Sequence, residues 1–419
     1  MESLTPTEHA WVRVQTSENL SVSTVVIVCE GPVDHSGLKS RIEDRLLAYG
    51  RLRQRIEYPQ LPLARPRWQD HDDFQLSDHL VVVDLANADQ PTTLQALVGQ
   101  LRSQPLDDTL PLWQIHLTRL ERNRSALVFR THAAVADGTA ISALALQLID
   151  GESGTRLPYT EIGFEHLVSS GPLLERLGKG AAATRMLCQL IILRADHDNP
   201  WRSRLTGAKI NNWSEAVDLT TFLDRAGYQG YSATEVLVTA VVRALRRALH
   251  RQDIPAEDVN LRAVVPVGLR QQGDSLTGSR LALGLMGLPL RSRDIASHID
   301  AVHQEIEQFC LAPREMAVLG SDPTQSLSMT EIEERSIWLL SQKATVLLSI
   351  LDGPADPQQL CGQPISNLMW WPAQSGEIAL GISAVGYAGR VRFGVSCDSA
   401  LAADATALAT EIVNAATAV

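Results

Sequence analysis

Apolar and polar positions alternate along the chain in ways that mark most of its elements. Thr5-Pro6-Thr7-Glu8 carries a helix-start signature: a capping hydroxyl, a proline at the first helical position and a carboxylate that reaches back from the third. Ser21–Glu30 (SVSTVVIVCE) has the β-branched run of a buried strand. Leu38, Ile42, Leu46 and Leu47 fall on one face of a helix over Leu38–Tyr49. After a proline-broken loop from Pro59 to Trp68, the pattern predicts a strand at Leu80–Leu85 and a helix around Leu94–Arg102. Leu112–Leu120 and Ser125–His132 read as paired strands joined by a polar turn, and Thr139–Asp150 as a helix. That order predicts a layered α/β or α+β domain ending near residue 170.

Residues 171–205, rich in Gly, Ala and Arg, read as a helical connector. A second series follows, with a short strand at Trp213–Val217, a helix at Leu219–Arg225 and a long helix at Ala233–His250. Strands are expected at Leu261–Val267 and Leu281–Leu290, and a helix at Asp294–Phe309 with two further helical stretches before Leu351. A hairpin pairs Ile378–Val385 with Arg390–Ser396, and Leu401–Ala416 closes as a helix. The chain has no sequence repeat, but 206–419 has much the same grammar as 1–170, so two similar lobes are the expected architecture.

Composition narrows the classes. Of 419 residues 45% are apolar and 20% charged, which supports real cores and excludes disorder as the main state. Thirty-seven basic against 48 acidic residues leave a net charge of −11, the wrong sign for a nucleic-acid partner. The first residues have no basic n-region or apolar h-region, and no apolar stretch approaches the roughly 20 residues of a transmembrane helix. Five scattered cysteines without CxxC spacing fit a reducing, cytoplasmic setting and neither a disulfide framework nor a zinc site. His71, Asp72, Asp73, Asp78 and His79 cluster, but their spacing matches no tight ligand set; no metal is expected.

The stretch that carries chemistry is Arg130-Thr131-His132-Ala133-Ala134-Val135-Ala136-Asp137-Gly138. A strand delivers His132 to its end, a loop of small residues follows, and Asp137-Gly138 turns the chain into a helix. On these local features His132 reads more readily as a hydrogen-bonded strand end than as a catalyst.

The stretch resembles the HHxxxDG motif of acyl-thioester-dependent acyltransferases, a superfamily that includes chloramphenicol acetyltransferase and peptide-synthetase condensation domains. Within it the chain is most similar to the bacterial wax ester synthase/diacylglycerol acyltransferase family. The likeness runs in order through Leu4–Glu8, Arg51–Arg55, Pro105-Leu106-Asp107, Pro111-Leu112-Trp113, Val265–Arg270, Gly278-Ser279-Arg280, Ser366-Asn367 and Tyr387–Gly394. It implies an α/β fold of two similar chloramphenicol-acetyltransferase-like lobes facing each other across a central tunnel. It also implies a hydrophobic small-molecule or acyl-thioester substrate, with acyl-CoA or an acyl or peptidyl carrier protein as thioester donor and no other cofactor.

Two departures stand out. Aligned on Asp137-Gly138, His132 takes the first histidine position and Ala133 the second, where the family's general base resides. Adjacent strand residues point to opposite faces, so if Ala133 faces the channel, Thr131 and Phe129 share its face and His132 points away. A positioned base contributes about 10²–10⁴ in rate. The second departure is Thr234-Glu235, where the family usually carries Asn-Asp. The resemblance implies a structural aspartate at Asp137, paired with Arg270 or Arg280, and Gly138 is expected to serve the turn. Trp370-Trp371 stand where related enzymes have a smaller turn and either cap the channel or fill space between lobes. With Thr131, Phe129, Gly138 and Glu235, they complete the expected tunnel set. Arg51, Arg53 and Arg55 lie either on a solvated strand or against donor phosphates. Three functions stay open: base-independent acyl transfer in lipid or natural-product biosynthesis, cyclisation or rearrangement of a hydrophobic intermediate in the inherited tunnel, and non-catalytic binding.

Overall fold

A computed structural model of the chain describes residues 2–59, 65–85, 93–151, 162–164, 192–194, 196, 199–227, 230–268, 270, 274–292, 295–311, 316–319, 327–401 and 405–418. The first half contains β1 (Glu2–Ser3), α1 (Pro6–Val14), β2 (Val22–Cys29), α2 (His35–Arg41), β3 (Gln54–Glu57), β4 (Arg67–Asp70) and β5 (Leu80–Asp84). It continues with α3 (Leu94–Ser103), β6 (Trp113–Arg119), β7 (Ser125–His132) and α4 (Gly138–Leu146). The second half contains β8 (Lys209–Trp213), β9 (Val217–Asp218), α5 (Leu219–Ala226), α6 (Ala233–Arg251), β10 (Leu261–Gly268), β11 (Leu281–Leu288), α7 (Ile295–Leu311) and β12 (Met316–Leu319). After these come α8 (Leu327–Lys343), β13 (Val346–Asp352), β14 (Gln359–Leu360), β15 (Gln363–Trp371), β16 (Leu380–Tyr387), β17 (Arg390–Asp398) and α9 (Ala405–Thr417).

Local signals hold where side chains close on their own backbone. At α1, Thr5 Oγ1 accepts from Glu8 N–H at 3.3 Å and Glu8 Oε2 accepts from Thr5 N–H at 2.8 Å, the two bonds of a capping box. The helix expected over Leu38–Tyr49 is regular only to Arg41. It then widens into a turn in which Leu47 N–H bonds Ile42 O, while Leu38, Ile42 and Leu46 stay buried. Most of the expected connector, 171–191 and three further positions, falls outside the described residues.

Among the described residues, a six-stranded sheet runs in the order β14-β15-β2-β7-β6-β5. A larger one runs β12-β11-β10-β13-β16-β17-β8 with β9 also on β17, and β1, β4 and β3 form a small third sheet. Two features depart from the pattern reading. The residues of β13, VLLSILD, are the end of a stretch expected to be helical, yet they form a strand parallel to β10 and β16. A strand covered on both faces reads as a continuous apolar run, so periodicity gives no sign of it. In addition, β15 comes from the second half but pairs antiparallel with β2, setting Trp370 opposite Val25 and Trp371 opposite Thr24. The two sheets are therefore not a simple division of the chain at 170–206.

Candidate functional site

Strand β7 lies between β2 and β6, and its end is pinned from both: His132 N–H donates to Leu112 O at 3.0 Å and Ala133 N–H to Ser21 O at 2.8 Å. The loop that follows is held by Asp137. Its Oδ1 caps α4, accepting from Ala140 N–H and Thr139 Oγ1, both at 2.9 Å. Its Oδ2 accepts from Arg270 Nη1 at 2.5 Å and from Arg280 N–H at 2.6 Å. Of the two expected arginines, Arg270 supplies the guanidinium; that of Arg280 pairs instead with Asp274 at 2.6 Å. Gly278 N–H donates to Val135 O at 2.7 Å and completes the clamp.

Chemistry at the motif itself is muted. His132 is buried, and its Nδ1 accepts from Ala134 N–H at 3.0 Å, so in the neutral ring the proton sits on Nε2. Burial pushes its pKa down to about 4. Such an imidazole offers a donor and is a poor base at neutral pH. Ala133, Ala134, Val135 and Ala136 are all buried within the apolar cluster of the first sheet. Gly138 does not have a positive φ, which corrects the expectation that turn geometry requires glycine there. Close approach requires it instead: a Cβ on Gly138 would lie 2.6 Å from Trp370 Cζ2 and 3.3 Å from Pro372 Cβ.

Cross-strand register sorts the neighbours of β7 onto two faces. Phe129 and Thr131 share a face with Val25, Trp370 and Trp113. That face is filled by rings, with Trp113 edge-on to Phe129 at 6.2 Å and its Nε1 donating to Leu52 O at 2.7 Å. Arg130 shares the other face with Thr24, Trp371 and Gln114, and His116 lies opposite Val128 in the next row. This second face meets the larger sheet: a Cβ on Gly394 would lie 2.5 Å from Met369 Cε and 3.1 Å from Trp371 Cζ2. Trp371 tilts against Trp213, centroids 5.6 Å apart, and the buried Arg102 guanidinium lies 5.9 Å from the Trp371 ring. Arg102 also reaches Ser396 Oγ, Trp371 O, Pro372 O and Gln374 Oε1, tying α3 to β15 and β17. Sequence reasoning missed Arg102, Arg130 and His116. For Arg130 the available signal was a charge inside the buried strand SALVFRTH.

Glu235 sits apart from this region, a correction to its place in the expected tunnel set. As the third residue of α6 it closes a capping box with Ser232, and its Oε1 lies 2.5 Å from His303 Nδ1. Burial alone would raise its pKa, but the bonds from Ser232 and His303 bring it below the ordinary value. Thr234 belongs there too, bonding Ile162 O at 2.5 Å. The helix α6 packs in the second apolar cluster, which does not include the motif loop. His79 stacks on Trp113 with centroids 4.5 Å apart and bonds its carbonyl, and no metal-binding group of three His, Cys, Asp or Glu side chains occurs among the described residues. Arg51 lies over the Trp68 ring at 4.2 Å and bonds Glu2 at 3.0 Å.

Two cavities flank the core of the site. One, of about 810 Å³, is lined by Thr5, Glu8, Arg51, Arg270, Gly278 and Arg280, behind the motif loop. The other, of about 260 Å³, is lined by Ser366, Leu368, Tyr387, Arg390 and Arg392, at the start of β15.

The family model described as the wax ester synthase/diacylglycerol acyltransferase catalytic domain matches residues 17–166, and its C-terminal counterpart matches 277–419. The chain belongs to the wax ester synthase/diacylglycerol acyltransferase family. It is 24% identical to a probable diacylglycerol O-acyltransferase, tgs1, of Mycobacterium tuberculosis H37Rv, over 95% of this chain and 90% of the relative. In structure it is similar to a wax ester synthase/diacylglycerol acyltransferase from Marinobacter aquaeolei VT8. The TM-score there is 0.69 at 16% identity, covering 99% and 98% of the two chains. A double mutant of the starter condensation domain of rhizomide synthetase, solved with C8-CoA and Leu-SNAC, is also similar, with a TM-score of 0.64 at 14% identity over 99% and 93%. These likenesses show a two-lobed α/β fold. No helix among the described residues is long and apolar enough to cross a membrane.

Proposed function

We propose that this family member transfers an acyl group from a thioester, coenzyme A or a carrier-protein arm, to an acceptor that needs no imidazole base, in lipid or natural-product biosynthesis. The observation that carries the reading is the coexistence of an intact clamp, Asp137 with Arg270 and the Arg280 N–H, and a methyl group at position 133. A scaffold held this firmly still orients reactants, and orientation alone is worth up to about 7–11 kcal/mol of barrier in well-aligned reactions. Omitting the base forfeits about 10²–10⁴ in rate, a loss felt most by alcohols. An amine attacks the thioester carbonyl as its neutral form, the C–S bond breaks, and the amine proton leaves with the thiolate through solvent. His132 does not replace the base, because its Nδ1 is engaged and burial keeps it a weak proton acceptor.

One observation favours a second reading, binding without turnover: Trp370 packs directly on Gly138 at the start of α4. Thiol release from a series of acyl-CoAs, with alcohol and amine panels, separates the two. Acyl transfer predicts release that depends on an amine. Absence of any thioester consumption by the wild type, and equally by folded Ala133→His, would leave binding as the function.

A further inference from the structure

The face of β7 that meets the larger sheet has too many donors and too much positive charge for the groups around it. Buried atoms there without a hydrogen-bond partner include Arg130 Nε, both ring nitrogens of His116, Thr24 Oγ1, Trp371 Nε1 and both ends of the Asn211 amide. Arginine and indole nitrogens can only donate, and the hydroxyl, the amide and a neutral imidazole each add a donor. Asn211 belongs to this surface because it pairs with Ser396, whose hydroxyl binds Arg102.

The charge points the same way. Among the described residues, Lys209 Nζ pairs with Asp398 at 3.5 Å, while no carboxylate pairs with Arg102 or Arg130. Asp398 is already engaged by Thr206, Gly207 and Ala400. Burial lowers Arg102 only to about 9 and Arg130 only to about 10, so both remain cationic at neutral pH. His116 is pushed down to about 4 by burial and by Arg130, and so stays neutral. A buried guanidinium without a counter-charge is strongly unfavourable unless something supplies one.

We propose that this seam is a binding site for an oxyanion, a carboxylate or a phosphate, held by Arg130, His116, Thr24, Trp371 and Asn211. Access is from the edge where Arg130 also bonds the carbonyl of exposed Gln104 and the side chain of Gln114. The site lies one cross-strand row from His132 on the same face, roughly 7 Å along the strand. The inference stands independently of whether acyl groups are transferred.

Thermal-shift and calorimetric titrations of the full chain test it, with inorganic phosphate and acetate in one arm, decyl phosphate and decanoate in the other, and chloride at equal ionic strength as reference. Saturable binding above the chloride reference is expected, weakened about tenfold or more by Arg130→Gln and partly restored by Arg130→Lys. Should Arg130→Gln fail to fold, Asn211→Leu on the opposite wall serves, with the same direction expected. Equal binding of both arms identifies a free anion as ligand, and binding of the alkyl arm alone identifies the head group of an amphiphile; either supports the site. No saturation in either arm, or unchanged affinity in both variants, overturns it.

Discussion

Strand β7 has two faces that could hardly differ more. On one, Phe129 and Thr131 pack among Trp113, Val25 and Trp370, and the Thr131 hydroxyl and Trp370 indole N–H are without a hydrogen-bond partner. On the other, Arg130 and His132 look toward Trp371, Thr24 and the larger sheet, where cations and orphaned donors accumulate. The resemblance to the HHxxxDG motif implies an imidazole at position 133, just past the end of β7, where this chain has Ala133. On the proposed reading, the expected reaction centre is apolar while polar groups are concentrated one strand-face away. The contrast teaches that the Asp137 clamp and the polar groups of the second face are held by separate sets of contacts, so one can stay while the other changes.

The sharpest way to probe that contrast is to restore the reagent. Ala133→His is expected to raise ester formation with an alcohol acceptor by about 10²–10⁴-fold, read by mass spectrometry of the product with circular dichroism as the folding control. No gain in a folded variant would mean that more than the base has changed. Next in size is the clamp: Asp137→Ala strips Arg270 of its partner and should lower stability by about 3–5 kcal/mol in urea unfolding. A loss below about 1 kcal/mol would class the pair with exposed ion pairs and break the picture of a pinned loop.

The buried histidines of the second face give a pH signature. His132 and His116 fall from an ordinary 6.5 to about 4 on folding. The unfolded chain therefore binds more protons between those values, and stability is fully present above 6.5 and drains away as pH falls toward 4. Each residue contributes up to roughly 3 kcal/mol. Comparing unfolding at pH 7.5 and 4.5 should show the loss, and His132→Gln should remove part of it; an unchanged slope would place His132 in contact with solvent. The smallest effect concerns the first face. Gly138→Ala forces its Cβ toward Trp370 and should destabilise by about 1–3 kcal/mol, a penalty that Trp370→Leu should relieve in a double-mutant cycle.

Much of the site was legible in the sequence because its signals are local or belong to a motif. The capping box at Thr5 and Glu8 and the hairpin of β6 and β7 follow from spacing and residue chemistry, while the Asp137 clamp with an arginine from the second half follows from the resemblance to the HHxxxDG family. Other features were not legible. The role of Gly138 depends on a ring 232 positions away in the chain, at Trp370. Glu235 was grouped with the tunnel by motif position, yet its carboxylate is consumed locally by Ser232 and His303. Strand β13 hid because complete burial erases alternation.

What the sequence by itself determined is the α/β character and the HAAVADG stretch with alanine at position 133, since each is written in residue identity and short-range spacing. Tertiary structure alone decided that β15 crosses into the first sheet, that Trp370 closes on Gly138, and that Arg102, Arg130, His116 and Asn211 gather in one seam. The physical reason is that strand pairing and burial are set by partners far away in the chain. Whether a charge is paired or orphaned therefore depends on register, which no single segment encodes.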